Sequence, residues 1–153
     1  MNNKVLLEAV DKFGTPLYIY DSNMIKSQYN RLKQSFKDVK NLQINYAVKA
    51  LSNISILKYM INLGSGIDAV SIQEVKLALK AGVNPKKILY TPNGVSIEEI
   101  KEVSELGVSI NIDNLEVLEQ FGNLNPDIPV CIRINPDRKS TRLNSSHRCI
   151  SYA

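Results

Sequence analysis

The sequence predicts an α/β protein built around a parallel β-sheet. Short apolar segments of three to five residues alternate along the chain with longer segments of helical periodicity. Several of these helices start with a Ser or Asp followed three residues later by Glu, and they end at a glycine. Short connections and right-handed crossovers favour a barrel or a doubly wound sheet, and periodicity alone does not choose between the two.

The first elements precede the main repeat. Residues 17–20 (Leu-Tyr-Ile-Tyr) are predicted to form a strand, and a helix is predicted from about Asn23 to Phe36. A short buried strand follows over residues 46–50 (Tyr-Ala-Val-Lys-Ala) and ends on Lys49. A turn over residues 51–53 then leads into an apolar-periodic helix.

Three later helices share one boundary pattern, with a predicted N-cap, a glutamate three residues on and a terminal glycine. The N-cap and glutamate pairs are Ser71 with Glu74, Ser96 with Glu99, and Asp113 with Glu116, and the glycines are Gly82, Gly107 and Gly122. The strands between these helices are predicted at Ile67–Val70, Ile88–Tyr90, Val108–Ile112 and Val130–Ile134.

The C-terminal residues 137–153 are expected to have a different origin from the rest of the chain. They are similar to a translation of a common short-read DNA sequencing adapter, in which Arg148 and Cys149 correspond to a sample index. We therefore expect residues 1–136 to be a partial barrel domain and residues 137–153 to be a non-native tail. Without a native continuation, the edge of the strand Val130–Ile134 is expected to stay unpaired.

The tail changes the interpretation of the composition. The whole chain has 19 basic and 15 acidic residues, a net charge of +4. Without the four basic residues and Asp137 of the tail, 15 basic and 14 acidic residues remain, a net charge of +1. The apparent basicity is therefore not a signal for nucleic acid or membrane binding.

Cysteine and histidine usage gives no metal or disulfide signal. His147 and Cys149 lie in the tail, which leaves Cys131 alone, so neither a zinc site nor a disulfide is predicted. No signal peptide and no apolar run long enough to span a bilayer is present, and we expect a cytoplasmic protein.

Lys49 is the strongest candidate for chemistry. In a βα-barrel, reactive groups lie where strands end at the C-terminal face. A lysine held there with its stem against apolar walls can form a Schiff base with a carbonyl compound. The alternative is a solvated lysine that packs only its stem on the surface.

The neighbouring motifs support the catalytic interpretation. Along the chain they are Phe13-Gly14-Thr15-Pro16 through Asp21, Tyr46 to Ala50, Gly64-Ser65-Gly66-Ile67-Asp68 through Ser71 with Glu74, Tyr90-Thr91-Pro92-Asn93-Gly94, Asn111-Ile112-Asp113-Asn114, and Ile132-Arg133-Ile134-Asn135-Pro136. In this order the chain resembles the N-terminal barrel domain of the fold-type III pyridoxal-phosphate decarboxylases, from about Leu6 to Pro136.

The resemblance implies a partial (β/α)8 TIM-type barrel with pyridoxal 5'-phosphate as cofactor. Lys49 is then the residue that holds the cofactor as a Schiff base and later moves a proton. Asp68, an acidic residue in an otherwise apolar strand, is implied to lie near the cofactor, although a salt-bridged barrel aspartate would look the same. Arg133 is implied to orient a neighbour from the barrel interior. Glu74 is a weaker cofactor-site candidate, because its capping box already explains it.

The resemblance also implies an amino-acid substrate and a homodimer. The motifs fit the diaminopimelate branch best, and the branches that act on ornithine, arginine or carboxylated polyamines remain alternatives, as does a non-catalytic relative. The family's glycine-rich phosphate segment, its Glu-Pro-Gly-Arg stretch and its second domain have no match in this chain. We therefore expect the chain by itself to be inactive.

Overall fold

The computed structural model describes residues 3–134 and the backbone of residues 148–150. The chain divides into two compact units, residues 1–42 and residues 43–153. None of the helices in the described part is both long and apolar enough to cross a bilayer.

The first unit contains two helices, α1 (Asn3–Phe13) and α2 (Ser22–Ser35). Asp21 caps α2, because its Oδ1 accepts hydrogen bonds from the backbone N–H groups of Asn23 and Met24 at 2.9 and 3.3 Å. These bonds, chiefly the one from Met24, lower the pKa of the Asp21 carboxyl. The predicted helix is thus confirmed, and it begins at Ser22, one residue before the predicted start.

The strand predicted at residues 17–20 is wrong. These residues do not form a strand. Their large apolar side chains are exposed, and Tyr18 has an exposed fraction of 88%. A β-rich composition forms a strand only when a neighbouring strand supplies the hydrogen-bond partners. Between residues 3 and 42 the structure offers no such neighbour.

The described residues of the second unit form a six-stranded sheet with four α-helices. Its strands are β1 (Asn45–Ala47), β2 (Gly66–Ala69), β3 (Ile88–Tyr90), β4 (Ser109–Ile112), β5 (Cys131–Ile134) and β6 (Arg148–Ile150). Its helices are α3 (Ile54–Asn62), α4 (Ile72–Lys80), α5 (Ile97–Glu105) and α6 (Leu115–Leu124).

The strand order decides between the two architectures that periodicity left open. Strands β1 to β5 are parallel, and each pairs with the next one along the chain. A doubly wound sheet reverses its strand order at a switch point and places helices on both faces. Here the order never reverses, and the right-handed crossovers therefore place every helix on one face. This is the arrangement of a (β/α)8 barrel, of which five parallel strands are present.

The core lies between the sheet and this single layer of helices. Ile67, Ile88 and Ile110 are almost fully buried on the strands and pack with Leu57 and Val103 of the helices. The paired residues of neighbouring parallel strands point to the same side, so these apolar residues form rows across the sheet. The opposite face, which we call the inner face, carries the alternate residues of each strand.

Two boundaries near candidate residues differ from the sequence prediction. β1 ends at Ala47, and Lys49 lies on a 3-10 turn over Val48–Ala50 rather than on the strand itself. Helix α6 is capped by Asn114 and not by Asp113, because the Asn114 Oδ1 accepts from two backbone N–H groups of the first turn at 2.8 and 3.2 Å.

The edge of β5 is paired, contrary to the expectation from sequence. The backbone of β6 runs antiparallel to β5, with Ile132 opposite Ile150 and Ile134 opposite Arg148. An exposed strand edge is a template for any extended segment, and pairing depends on backbone groups more than on side-chain identity. The segment Arg148–Ile150 therefore supplies a partner for the β5 edge.

Candidate active site

Two of the candidate residues, Asp68 and Arg133, project onto the inner face. Asp68 lies between two buried helix-side residues of β2, so its side chain projects to the opposite side. Arg133 follows Ile132, which is in register with the buried Ile112, and it projects to the same side as Asp68. The parallel pairing aligns the carboxyl ends of these strands along one edge, the edge at which a barrel carries its active site.

The turn that bears Lys49 is closed by two hydrogen bonds. The backbone N–H of Leu51 donates to the carbonyl of Val48 at 3.0 Å. The Tyr46 hydroxyl donates to the carbonyl of Leu51 at 3.1 Å, and so ties the strand to the residue beyond the turn. Val48 is fully buried and anchors the turn in the core, while Lys49 is exposed. The turn therefore holds the lysine backbone firmly and leaves its amine accessible.

Asp68 is the candidate residue on β2, the strand that pairs with β1. Its strand neighbour on β1 is Ala47, two residues before Lys49, so the carboxylate lies on the strand adjacent to the lysine turn. The Thr91 hydroxyl, just after β3, donates to Asp68 Oδ1 at 2.8 Å. The structure thus satisfies this half-buried carboxylate with a neutral hydroxyl, and the salt bridge considered from sequence is not among the ion pairs of the described residues.

The hydrogen-bond chain continues to the next strand. The side-chain amide of Asn111 on β4 donates to Thr91 Oγ1 at 3.0 Å. Asn111 is only 4% exposed, and its Oδ1 is buried with no hydrogen-bond partner. An unpaired buried polar atom of this kind costs about 1–3 kcal/mol. Sequence analysis noted both residues within motifs, but the contact between them depends on strand register.

Glu74 makes one of the two hydrogen bonds of a capping box with Ser71, and its carboxylate binds a different backbone N–H. Ser71 Oγ accepts from the Glu74 backbone N–H at 3.3 Å, as a capping box requires. The Glu74 carboxylate accepts instead from the N–H of Val70, one residue before the cap, at 2.8 Å. The Glu74 carboxylate therefore fixes the junction between β2 and α4 at Val70, two residues after Asp68 in the sequence. Its role toward a cofactor stays a prediction.

The carboxylate of Glu99 joins three elements, a role beyond the capping box predicted from the sequence. Glu99 Oε1 accepts a hydrogen bond from the Tyr90 hydroxyl at 2.6 Å and another from the backbone N–H of Ile72 at 3.1 Å. Glu99 on α5 thus holds the end of β3 and the start of α4 together. Burial, followed by the bond to Glu99, raises the pKa of the fully buried Tyr90 hydroxyl well above its usual range. The signal in the sequence was the tyrosine at an otherwise apolar strand position.

A cavity of about 470 Å³ lies among the connections that follow β3 and β4. Asn93 and Gly94 line it together with Ile100, Ile112 and Val117. Its lining also includes Pro92, Asp113 and Asn114, so the cavity lies at the carboxyl ends of β3 and β4. Lys49 is not among its lining residues.

The site residues fit the aldehyde end of a carbonyl cofactor. The Lys49 amine forms no ion pair or hydrogen bond with any other described residue, so it is free to attack a carbonyl carbon. The tethered carboxylate of Asp68 lies on the neighbouring strand, where it can face a cationic group. Within residues 3–134, no cluster of His, Cys, Asp or Glu side chains has the form of a metal site.

A parallel sheet in barrel order, with an exposed lysine on the turn after its first strand, defines the class of βα-barrel proteins. The family described as "Pyridoxal-dependent decarboxylase, pyridoxal binding domain" matches residues 22–149. This chain belongs to that family, whose cofactor is pyridoxal phosphate. The resemblance to fold-type III decarboxylases and the partial-barrel fold are thereby confirmed.

Individual relatives agree with the family match. Diaminopimelate decarboxylase of Campylobacter jejuni is 43% identical over 131 residues, which are 82% of this chain and 32% of that protein. The structure of diaminopimelate decarboxylase from M. jannaschii in co-complex with L-lysine has a TM-score of 0.78 at 32% identity, covering 86% of this chain and 33% of that one.

A decarboxylase of another specificity has a similar fold. The structure of lysine/ornithine decarboxylase from Vibrio vulnificus, complexed with putrescine, has a TM-score of 0.75 at 25% identity, covering 84% of this chain and 35% of that chain. The chain thus spans about a third of the length of the relatives it matches.

The Glu99 contacts predict a stability effect. Glu99→Ala leaves the buried Tyr90 hydroxyl without an acceptor and should lower the unfolding free energy by about 1–3 kcal/mol. The raised Tyr90 pKa means that its favourable contribution is fully present below the unfolded value of 10.0 and is lost as the pH rises further.

The control for Glu99 is Glu102→Ala on the same helix. It removes an exposed ion pair with Lys76 at 2.7 Å and should cost only about 0–1 kcal/mol. Denaturant unfolding at pH 7 and above pH 10 measures both variants. Equal losses in the two variants would contradict the structural role of Glu99.

Proposed function

We propose that this chain is the N-terminal part of a pyridoxal-phosphate-dependent enzyme that converts meso-2,6-diaminopimelate to L-lysine and carbon dioxide. The observation that carries the proposal is the accessible Lys49 on its closed turn, beside the strand of Asp68, in a chain 43% identical to a diaminopimelate decarboxylase. The motifs around residues 13–16 and 111–114 favoured the same branch.

The residues of this chain have distinct roles in the proposal. Lys49 holds the cofactor through its Nζ and, once released by the substrate amine, carries a proton to or from the reacting carbon. Asp68 presents a carboxylate to a cationic group of the bound ligand. When bound, pyridoxal phosphate supplies the electron sink for the electron pair left by the departing carboxylate. The carbon that loses carbon dioxide then gains a proton.

Arg133 and Glu74 act as supports in this proposal. Arg133 projects onto the inner face from β5, where its planar guanidinium can orient a carboxylate or phosphate group by paired hydrogen bonds. Glu74 keeps the β2–α4 junction in place through Val70. Residues outside this segment complete the site, and the enzyme works as a cytoplasmic homodimer.

Two alternative functions are compatible with the same site. A decarboxylase specific for ornithine, arginine or a carboxylated polyamine is favoured by the structural similarity to the Vibrio lysine/ornithine enzyme. A non-catalytic relative is disfavoured by the presence of Lys49. The substrate contacts that separate these functions are expected mostly outside this segment.

Carbon dioxide release tests the substrate. The full-length protein with pyridoxal phosphate should release carbon dioxide from meso-diaminopimelate and form L-lysine, with little release from ornithine or arginine. The 153-residue chain alone should release none, because the rest of the site is missing. Preference for ornithine would favour the alternative, and turnover by the 153-residue chain would contradict its predicted inactivity.

Reductive labelling tests Lys49. Borohydride reduction of the full-length protein with pyridoxal phosphate should mark Lys49 and no other lysine, because Lys49 lies on the turn after β1, next to the strand of Asp68. Lys49→Ala should abolish the label, whereas Lys58→Arg, a change to an exposed lysine on α3, should leave it intact. Peptide mass spectrometry identifies the site, and a label elsewhere would contradict the assignment.

We also propose that residues 137–153 are not native to the protein. Sequencing of the source locus from intact DNA should show the reading frame continuing past Pro136 with residues typical of the family. The strand pairing of β6 with β5 would then belong to the tail and be replaced by a native strand. Genomic DNA that encodes residues 137–153 as given would contradict this origin.

A further inference from the structure

Three side chains form one hydrogen-bonded chain across the carboxyl ends of three strands. The Asn111 Nδ2 donates to Thr91 Oγ1 at 3.0 Å, and Thr91 Oγ1 donates to Asp68 Oδ1 at 2.8 Å. The three residues belong to β4, the residue after β3, and β2. We call this set the Asn-Thr-Asp relay.

The direction of the relay follows from the donor inventory of its members. An ionised carboxylate only accepts, so the single hydroxyl proton of Thr91 points to Asp68. Thr91 Oγ1 can then only accept from its other neighbour, and the group of Asn111 that faces it must be the amide NH₂. The relay therefore has one consistent orientation, with every donor directed toward Asp68.

The relay is poorly explained as a device for stability. Its directed orientation leaves Asn111 Oδ1 buried and without a partner in the described structure. A buried apolar side chain of similar size would avoid that unpaired atom. A polar group kept at a cost in stability is typical of a functional site.

The sheet order shows what the relay controls. β2 lies between β1 and β3, and Thr91 approaches Asp68 from the β3 side. One carboxylate oxygen is thereby tethered from the β3 side. The second oxygen accepts no hydrogen bond from a described residue, and the strand on the other side of β2 is β1, which leads into the Lys49 turn.

We propose that Thr91 and Asn111 are positioning residues that hold the Asp68 carboxylate toward the cationic ligand group bound at Lys49. This inference rests on the proposed function, because it takes the ligand to be pyridoxal phosphate held by Lys49. Neither residue contacts the ligand in this role. Thr91 acts through Asp68, and Asn111 acts through Thr91.

The test uses the full-length protein and three variants. Thr91→Val keeps the shape and removes the hydroxyl, Thr91→Ser keeps the hydroxyl, and Asn111→Leu removes the amide and the unpaired oxygen. The measurements are the Kd of pyridoxal phosphate, the pH midpoint of the cofactor absorption band, and the thermal unfolding midpoint of the apoprotein.

Thr91→Val should weaken pyridoxal phosphate binding about tenfold and shift the pH midpoint, because a hydrogen bond to a charged group is lost. Thr91→Ser should stay within about twofold of the unmodified protein, since the directed hydrogen bond is kept. Asn111→Leu should weaken binding while its unfolding midpoint stays equal or rises. This opposite movement of affinity and stability is not expected of a residue with a purely structural role.

The outcomes separate the inference from the proposed function. The inference alone is overturned if the unmodified protein binds pyridoxal phosphate at Lys49 and the two variants behave in the same way. In that case Thr91→Val and Asn111→Leu bind pyridoxal phosphate as tightly as the unmodified protein and have the same pH midpoint. Absence of a Lys49 label in the unmodified protein overturns the proposed function and the inference with it. If Thr91→Val does not fold, Asn111→Leu decides, and unchanged binding by that variant again overturns the inference.

Discussion

Parallel pairing of consecutive strands is the constraint on which the rest of this structure depends. Each strand pairs with its neighbour in sequence, and every crossover returns on the same side. The helices therefore cover one face and bury its apolar rows, such as Ile67 with Ile88. The other face carries polar residues, among them Asp68 and Asn111. Parallel strands also end at one edge, so residues far apart in sequence, such as Asp68 and Asn111, become neighbours.

At this edge, glutamate carboxylates near the starts of helices accept hydrogen bonds that join the helices to the ends of the strands. Glu74 binds the N–H of Val70, and Glu99 binds the N–H of Ile72 and the hydroxyl of Tyr90. Charge-assisted bonds to backbone N–H groups are stronger than neutral ones, and they lock each helix to the end of its strand. A lysine on such an edge has a firmly held backbone, which a site that must orient a bound cofactor requires.

The same edge shows how function and stability are separated in one sheet. The apolar face contains buried residues with satisfied packing, and the inner face contains a carboxylate tethered by Thr91 and an amide with an unpaired oxygen. Only the second arrangement carries an energetic cost. The unmatched atom of Asn111 therefore indicates where the sequence departs from the choice that stability alone would make.

The sequence by itself determined the repeat, the helix starts at Ser71 and Ser96, and the family, because capping boxes and short motifs are local and survive without knowledge of partners. It also singled out Lys49 and Asp68. The strand predicted at residues 17–20 is wrong, and residues 3–42 contain no strand that could pair with it. Local patterns cannot report whether a partner exists.

Tertiary structure decided everything that depends on strand order and register. The choice of a barrel over a doubly wound sheet required the unbroken order of β1 to β5. The contacts of Glu99 with Tyr90 and of Thr91 with Asp68 join residues 9 and 23 positions apart. Pairing of the β5 edge with β6 was likewise set by a free backbone edge rather than by side-chain pattern. Hydrogen bonds of this kind depend on three-dimensional proximity, which the order of residues in a single chain does not encode locally.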